Sequence, residues 1–222
     1  MDNRYISELE KSKIFTNISR ENIIALLPCL KAKVSFFEKD QTIFHHGDLI
    51  NKVGIILSGS LLIESLDFWG NSSIIKNLSK YEMFGEIYAF EKKPLETSII
   101  TNNKSTIMFL NFDKIINPCS IACGFHTTLI INLLQIFANK AFTMNKKVEI
   151  LSKRTTEDKL LTYLNSLSLQ KNSKSFSIPF NRQELANFLV VNRSALSKEL
   201  MRLKKEQIID YNKNSFKLLK EF

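Results

Sequence analysis

Between His126 and Leu151 the chain carries neither glycine nor proline, and its apolar residues follow a narrow rule. Ile130, Leu134, Phe137, Ala141, Met144, Val148 and Leu151 are separated by alternating steps of four and three. That spacing predicts one long helix with a heptad seam, the stripe along which two helices pack against each other. A helix that only closes its own core usually shows a wider apolar face. A second stripe, Leu129, Leu133 and Ile136, stands beside the seam and is suited to covering a sheet. One helix is therefore expected to serve two surfaces, its own domain and a second copy of the chain.

What precedes the helix reads as short strands broken by turns. After a helical start capped by Ser19, with an Ile23, Ile24 and Leu27 stripe, the candidate strands are 34–37, 54–57, 60–64, 73–77, 97–101 and 106–111. Gly47-Asp48, Ser58-Gly59 and Trp69-Gly70-Asn71 punctuate them. Many short strands at close spacing predict an antiparallel roll or barrel. After the helix, a break near Lys153 leads to a new helix start at Thr155, where an N-cap threonine precedes an acidic Asp158 by three residues. Leu160, Leu161, Leu164 and Leu167 continue it, and 176–178 is a further short strand before Pro179. The predicted class is α+β: an N-terminal antiparallel β-roll over 1–125, a dimerisation helix over 126–152 and a C-terminal winged helix-turn-helix over 153–222.

Charge supports that last assignment. The formal net charge is +9, and from Leu151 onward fourteen Lys and Arg face seven Asp and Glu, so +7 of it lies in the last third. A basic excess suits a polyanionic partner. Asn181 is placed to cap a helix beginning at Arg182, and Val190-Val191-Asn192 joins it to a second helix beginning at Arg193. In that second helix Leu196, Leu200 and Leu203 share one face, while Arg193, Ser194, Ser197 and Lys198 share the other. One face anchors and the other offers short polar and basic side chains, which is what insertion into a major groove requires. Asn192 as N-cap leaves backbone donors near the helix start for a phosphate. Residues 208–211 and 215–218, joined through Asn212-Lys213-Asn214, predict a β-hairpin wing with Lys213 near its tip. The expected DNA-facing set is Arg182, Asn192, Arg193, Ser194, Ser197, Lys198 and Lys213.

The run Val53-Gly54-Ile55-Ile56-Leu57-Ser58-Gly59-Ser60-Leu61 resembles the strand-turn-strand of the CRP/FNR family, and Phe84-Gly85-Glu86-Ile87 resembles the start of that family's phosphate-binding cassette. The long helix, the hinge and the helix-turn-helix follow in the family's order. The resemblance implies a dimeric, sequence-specific DNA-binding transcription regulator with double-stranded DNA and RNA polymerase as partners. It places Arg193, Ser194 and Lys198 at the main base contacts. Any effector would sit near Gly85, Glu86, Glu96, Thr97, Met144 and Asn145.

The sequence departs from the family pattern at four places. Glu96 stands where cyclic-nucleotide binders carry the arginine that pairs with the cyclic phosphate, with Thr97 at the following serine. A carboxylate there repels the phosphate. Met144 and Asn145 replace the hydroxyl pair that touches the adenine, so the expectation is no response to cyclic AMP. Val190 occupies a turn position where the family often has glycine, which predicts a turn that avoids a strongly left-handed backbone. No cysteine precedes Cys29, so a four-thiolate iron–sulfur cluster is not expected.

Three other readings stay open: a haem- or redox-sensing regulator using His45, His46, His126 or the cysteines Cys29, Cys119 and Cys123; a ligand-independent regulator; and, remotely, a cupin-like metal enzyme with His45 and His46 adjacent on a strand. Adjacent strand residues face opposite ways and chelate one metal poorly. No nucleophile–base pair, phosphate loop or paired-carboxylate motif stands out, so no catalytic residue, metal or cofactor is predicted. Three cysteines without a framework, a polar opening MDNRYISELEKSK and the lack of a bilayer-spanning apolar run predict a cytoplasmic protein with no leader and no membrane contact.

Overall fold

The computed structural model of the protein describes residues 3–66, 72–117 and 124–220. In chain order the elements are α1 (Asn3–Leu9), α2 (Arg20–Cys29), β1 (Lys33–Phe37), β2 (Thr42–Phe44), β3 (Lys52–Ser58), β4 (Leu61–Leu66), β5 (Ser72–Leu78), β6 (Met83–Phe84), α3 (Glu86–Glu91), β7 (Ser98–Thr101), β8 (Ser105–Asn111), α4 (Phe112–Ile116), α5 (Gly124–Leu151), α6 (Thr156–Lys171), β9 (Ser175–Ser177), α7 (Arg182–Leu189), α8 (Arg193–Lys205), β10 (Ile209–Asn212) and β11 (Ser215–Leu218). They fall into two compact units, Met1–Ala138 and Asn139–Phe222, so the division lies inside α5.

The first unit carries two four-stranded sheets with antiparallel pairings, in the orders β1-β8-β3-β6 and β2-β7-β4-β5. Strands β3 and β8, central in the first sheet, are buried on both faces. Val53, Ile55 and Leu57 of β3 and Met108 and Leu110 of β8 join the helices in one core. Ile56, Ile107 and Phe109 point the other way into a second core between the sheets. That is why β3 and β8 read as nearly unbroken apolar runs rather than as alternation. The inter-sheet core is aromatic: the Phe44, Phe84 and Phe109 rings lie 5.8–6.3 Å apart, tilted or edge-on to one another. The Ser58-Gly59 turn is tight: Gly59 sits at φ 87°, and a Cβ there would be 2.2 Å from Ser105 Oγ. Only glycine meets both conditions.

The six strand segments expected before the long helix are present, and two short strands, β2 and β6, add to them. Helices α1, α3 and α4 carry no strong sequence signal; α1 and α4 bury residues in the helical core, as does α3 through Ala89. Ser19 caps α2 as expected, accepting from the Asn22 N–H at 3.4 Å. The turn expected at Trp69-Gly70-Asn71, and Cys119 and Cys123, lie outside the described residues.

Helix α5 begins in the first unit, where Leu129, Leu133 and Ile136 are buried in the core. Each such burial is worth about 1.5–3 kcal/mol. Asn132, also buried, donates through Nδ2 to Ile14 O at 3.0 Å and Thr16 O at 2.7 Å, fixing the segment before α2 onto the helix. Both surfaces expected of the helix are thus separable. The second stripe is inside, whereas Leu134, Ala141, Met144 and Val148 of the seam are exposed and Ile130, Phe137 and Leu151 half-buried.

In the second unit, α6, α7 and α8 enclose a core of Leu160, Leu164, Leu185, Leu189, Leu196, Leu200 and Leu203, closed by the β10-β11-β9 sheet. Thr155 caps α6 by accepting from the Asp158 N–H at 3.0 Å and donating to its carboxylate at 2.6 Å. Tyr163, Phe180 and Phe188 form an aromatic wedge with centroids 5.0–6.2 Å apart, and burial pushes the Tyr163 phenol up to about 12.

Candidate nucleic-acid interface

The α7–α8 pair is built from both ends by backbone capping. Asn181 accepts from the Glu184 N–H at 3.0 Å, while the Glu184 carboxylate accepts from the Asn181 N–H at 2.7 Å. This reciprocal box satisfies two of the donors that every helix start leaves open. At the other end of α7, Val190 turns the chain: its N–H and that of Val191 donate back to Asn187 O at 3.2 Å and Ala186 O at 3.0 Å.

Here an expectation is overturned. Val190 lies at φ 52° and ψ 57°, fully in the left-handed region that the valine was expected to avoid. The reason is topological. Leu189 must stay in the core while α8 starts in a new direction four residues later, at Arg193, and this closure of α7 needs one left-handed residue. The branched side chain escapes by pointing to solvent, 66% exposed, so the strain is backbone strain without a packing clash.

Helix α8 presents the two faces read from its sequence. Leu196, Leu200 and Leu203 are fully buried. Arg193, Ser194 and Lys198 are exposed and Ser197 is half-buried. Asn192 takes the N-cap position with extended backbone, but its side chain makes no cap hydrogen bond. The first N–H groups of α8 are left to the positive end of the helix dipole. Among the described residues no carboxylate pairs with Arg193 or Lys198.

The next arginine of α8 is used differently. Arg202 is held by three carboxylates at once, Glu157 at 2.7 Å, Glu199 at 2.6 Å and Glu206 at 2.7 Å. The Glu199 hydrogen bonds first, then Glu157 and Glu206, raise the guanidinium above its already high value. Glu157 belongs to α6, so Arg202 ties the far half of α8 to the start of α6. Of this cluster the sequence displays the i−3 and i+4 partners, but not Glu157.

The wing is where it was expected. β10 and β11 pair from Ile209↔Leu218 to Asn212↔Ser215, with exposed Lys213 in the connecting turn at φ 53°. Arg182 is drawn inward: its guanidinium lies over the Tyr211 ring at 5.1 Å and donates to Lys213 O at 3.5 Å. Burial pulls it below its ordinary value, with the tyrosine acting in the opposite direction. Lys204 approaches the same ring at 5.3 Å and pairs with Asp210 at 2.6 Å. The structure therefore groups Arg193, Ser194, Ser197 and Lys198 on one helical face and gives Arg182 the task of bracing the wing.

The residues expected around an effector fall in both units. In the first, Gly85 has φ 82° and opens α3, Glu86 is buried, Thr97 is half-buried and Glu96 is exposed in the connection to β7. A Cβ at Gly85 would come 3.0 Å from Ile50 Cδ1, so strain and contact both favour glycine. In the second unit Met144 and Asn145 are exposed on α5. The histidines expected on a strand for a metal or haem lie elsewhere: His45 and His46 follow β2 in the turn closed by Asp48, whose carboxylate accepts from the His45 N–H at 2.8 Å. Buried His126 has Nε2 3.0 and 3.1 Å from Lys114 O and Ile115 O, and since carbonyls only accept, that nitrogen carries a proton. Among the described residues no group of three His, Cys, Asp or Glu is arranged to hold a metal ion. No helix among them is long and apolar enough to cross a membrane.

Two family models match this chain, the cyclic nucleotide-binding domain over residues 34–120 and the Crp-like helix-turn-helix domain over 158–221. Together they cover the sheets and the α7–α8 pair. The chain belongs to the CRP/FNR family of transcription regulators. Among its CRP/FNR relatives is the transcriptional activator protein FnrA of Stutzerimonas stutzeri, 23% identical over 193 residues that make up 82% of this chain and 75% of that one. The fold is shared with the Thermus thermophilus catabolite activator protein, with a TM-score of 0.55 at 18% identity over 93% of each chain. It is also shared with CprK complexed with OCPA, with a TM-score of 0.64 at 13% identity over 88% and 89%. The CRP/FNR architecture and family are those of transcription regulators, not of enzymes.

Proposed function

We propose that this CRP/FNR regulator acts in the cytoplasm as a homodimer that reads double-stranded DNA through Arg193, Ser194, Ser197 and Lys198, assisted by backbone donors after Asn192 and by Lys213 on the wing. One observation carries the reading. Arg193 and Lys198 stand exposed, with no carboxylate partner among the described residues, opposite a fully buried leucine face, while Arg202 on the same helix is saturated by carboxylates. A protein that needed these cations only for solubility would have no reason to segregate them. The exposed seam on α5 supports the dimer, since a row of apolar residues facing water favours association. Two recognition helices about 34 Å apart would then enter successive major grooves of a roughly palindromic site, with RNA polymerase as the further partner.

The same reading takes the regulator to be unresponsive to cyclic AMP, on the strength of Glu96 at the phosphate position. The test is fluorescence anisotropy on DNA from upstream of its own gene beside a scrambled duplex, at physiological salt. Wild-type protein should prefer the native DNA, and Arg193→Ala should lose about 1–3 kcal/mol of specific binding if the arginine reads a base. Equal losses on both duplexes would mark a phosphate contact. Saturable binding of cyclic AMP at micromolar concentration, seen by calorimetry, would overturn the second part.

A further inference from the structure

Helix α3 presents apolar surface that its own unit does not cover. Ile87 is 49% and Phe90 55% exposed, and three residues apart they share one helical face. The Phe90 ring lies 6.1 Å from Phe112, at the core, and 6.0 Å from Phe137 on its other side. Phe137 is a seam residue of α5, and Leu134, its neighbour in the seam, is 61% exposed. The exposed face of α3 is therefore continuous with the seam rather than a separate patch. The area required points the same way. A stable interface takes about 800 Å² and 20–30 residues from each partner, and the seam offers seven side chains per chain. More surface must be covered than the seam holds: Ile131 and Phe142, 48% and 61% exposed, flank it on α5 itself, and α3 adds apolar surface from a second element through the Phe90–Phe137 contact.

We infer that a second copy of this chain covers Ile87 and Phe90 together with the α5 seam, so that α3 is part of the dimer interface. The inference rests on the dimer reading of the seam. It has a mechanical consequence. α3 opens at Gly85 and Glu86, two of the residues expected to line an effector site, so a molecule bound there would lie at the end of a helix that touches the partner subunit.

Sedimentation of the full-length protein over a concentration series tests this with four samples: wild type, Leu134→Asp, Ile87→Ser and Phe90→Ser. Wild type should dimerise and Leu134→Asp should sediment as a monomer. Ile87→Ser and Phe90→Ser should each raise the dimer dissociation constant at least tenfold, with unchanged far-ultraviolet circular dichroism. A wild-type dimer whose dissociation constant neither α3 variant moves overturns the inference and leaves the seam standing. A monomeric wild type overturns the seam reading itself. Because Phe90 also packs on Phe112, hydrogen exchange gives an independent check without substitution in α3. Amides of residues 87–91 should exchange more slowly in the wild-type dimer than in the Leu134→Asp monomer, and equal exchange overturns the inference.

Discussion

Replacing Val190 by glycine should stabilise the DNA-reading unit, although it removes an apolar side chain from a CRP/FNR regulator. Val190 holds φ 52° and ψ 57°. A left-handed backbone costs an L-residue about 1–2 kcal/mol, and branching at Cβ puts valine at the unfavourable end. Glycine removes that cost but has more conformational freedom to lose on folding, about 0.5–1 kcal/mol. The side chain is 66% exposed, so its loss gives up little burial. The net expectation is a gain of about 0.5–1 kcal/mol. Urea unfolding followed by circular dichroism reads it: with a slope of roughly 1 kcal/mol per molar for a unit of this size, the midpoint should rise by about 0.5–1 M at unchanged slope. DNA affinity should not fall, since the turn already has the geometry that glycine prefers. A midpoint that stays or drops would refute the reasoning, because it would mean that the valine is not held left-handed between α7 and α8.

Two further predictions concern charge. Glu8 is held down to about 2 from its ordinary 4.5 by Lys80, then by the Tyr81 hydroxyl, with Lys11 adding to them. Its folded value is depressed, so its contribution is complete above pH 4.5 and lost as the pH falls toward 2. Thermal melts should show Glu8→Gln less stable by about 0.5–1 kcal/mol at pH 7, discounted for a solvent-exposed pair, and indistinguishable from wild type near pH 2. Arg202→Met leaves Glu157, Glu199 and Glu206 facing one another, so its melting temperature should fall, and by less in 1 M salt than in dilute buffer. A loss that ignores salt would show that Arg202 acts through packing of its stem instead.

Much of this regulator was legible in the chain because the relevant signals are local. The spacing of Leu196, Leu200 and Leu203 assigns the buried face of α8, and the polar face follows from the same geometry. Asn181 with Glu184, and Thr155 with Asp158, announce helix starts because each cap closes within three residues. The two stripes of α5 separate its inner and outer surfaces for the same reason.

What escaped the sequence depends on who meets whom across the fold. Arg182 and Lys213 read alike as DNA-facing cations, yet only Lys213 is free of a stacking partner among the described residues; Tyr211 and a turn carbonyl, distant in sequence, claim Arg182. Glu157 completes the Arg202 cluster from α6, far outside the window in which helical charge pairs are seen. Val190 was read from its own steric preference, and the closure of α7 onto α8 overrode that preference, since a backbone cost of about 1–2 kcal/mol is smaller than the loss of a leucine core. The sequence alone determined the order of elements, the faces of α5 and α8 and the family. The tertiary structure alone decided which cations are committed, where backbone strain is stored and how α3 joins the seam, because pairing, strain and continuity arise between residues that neither periodicity nor spacing connects.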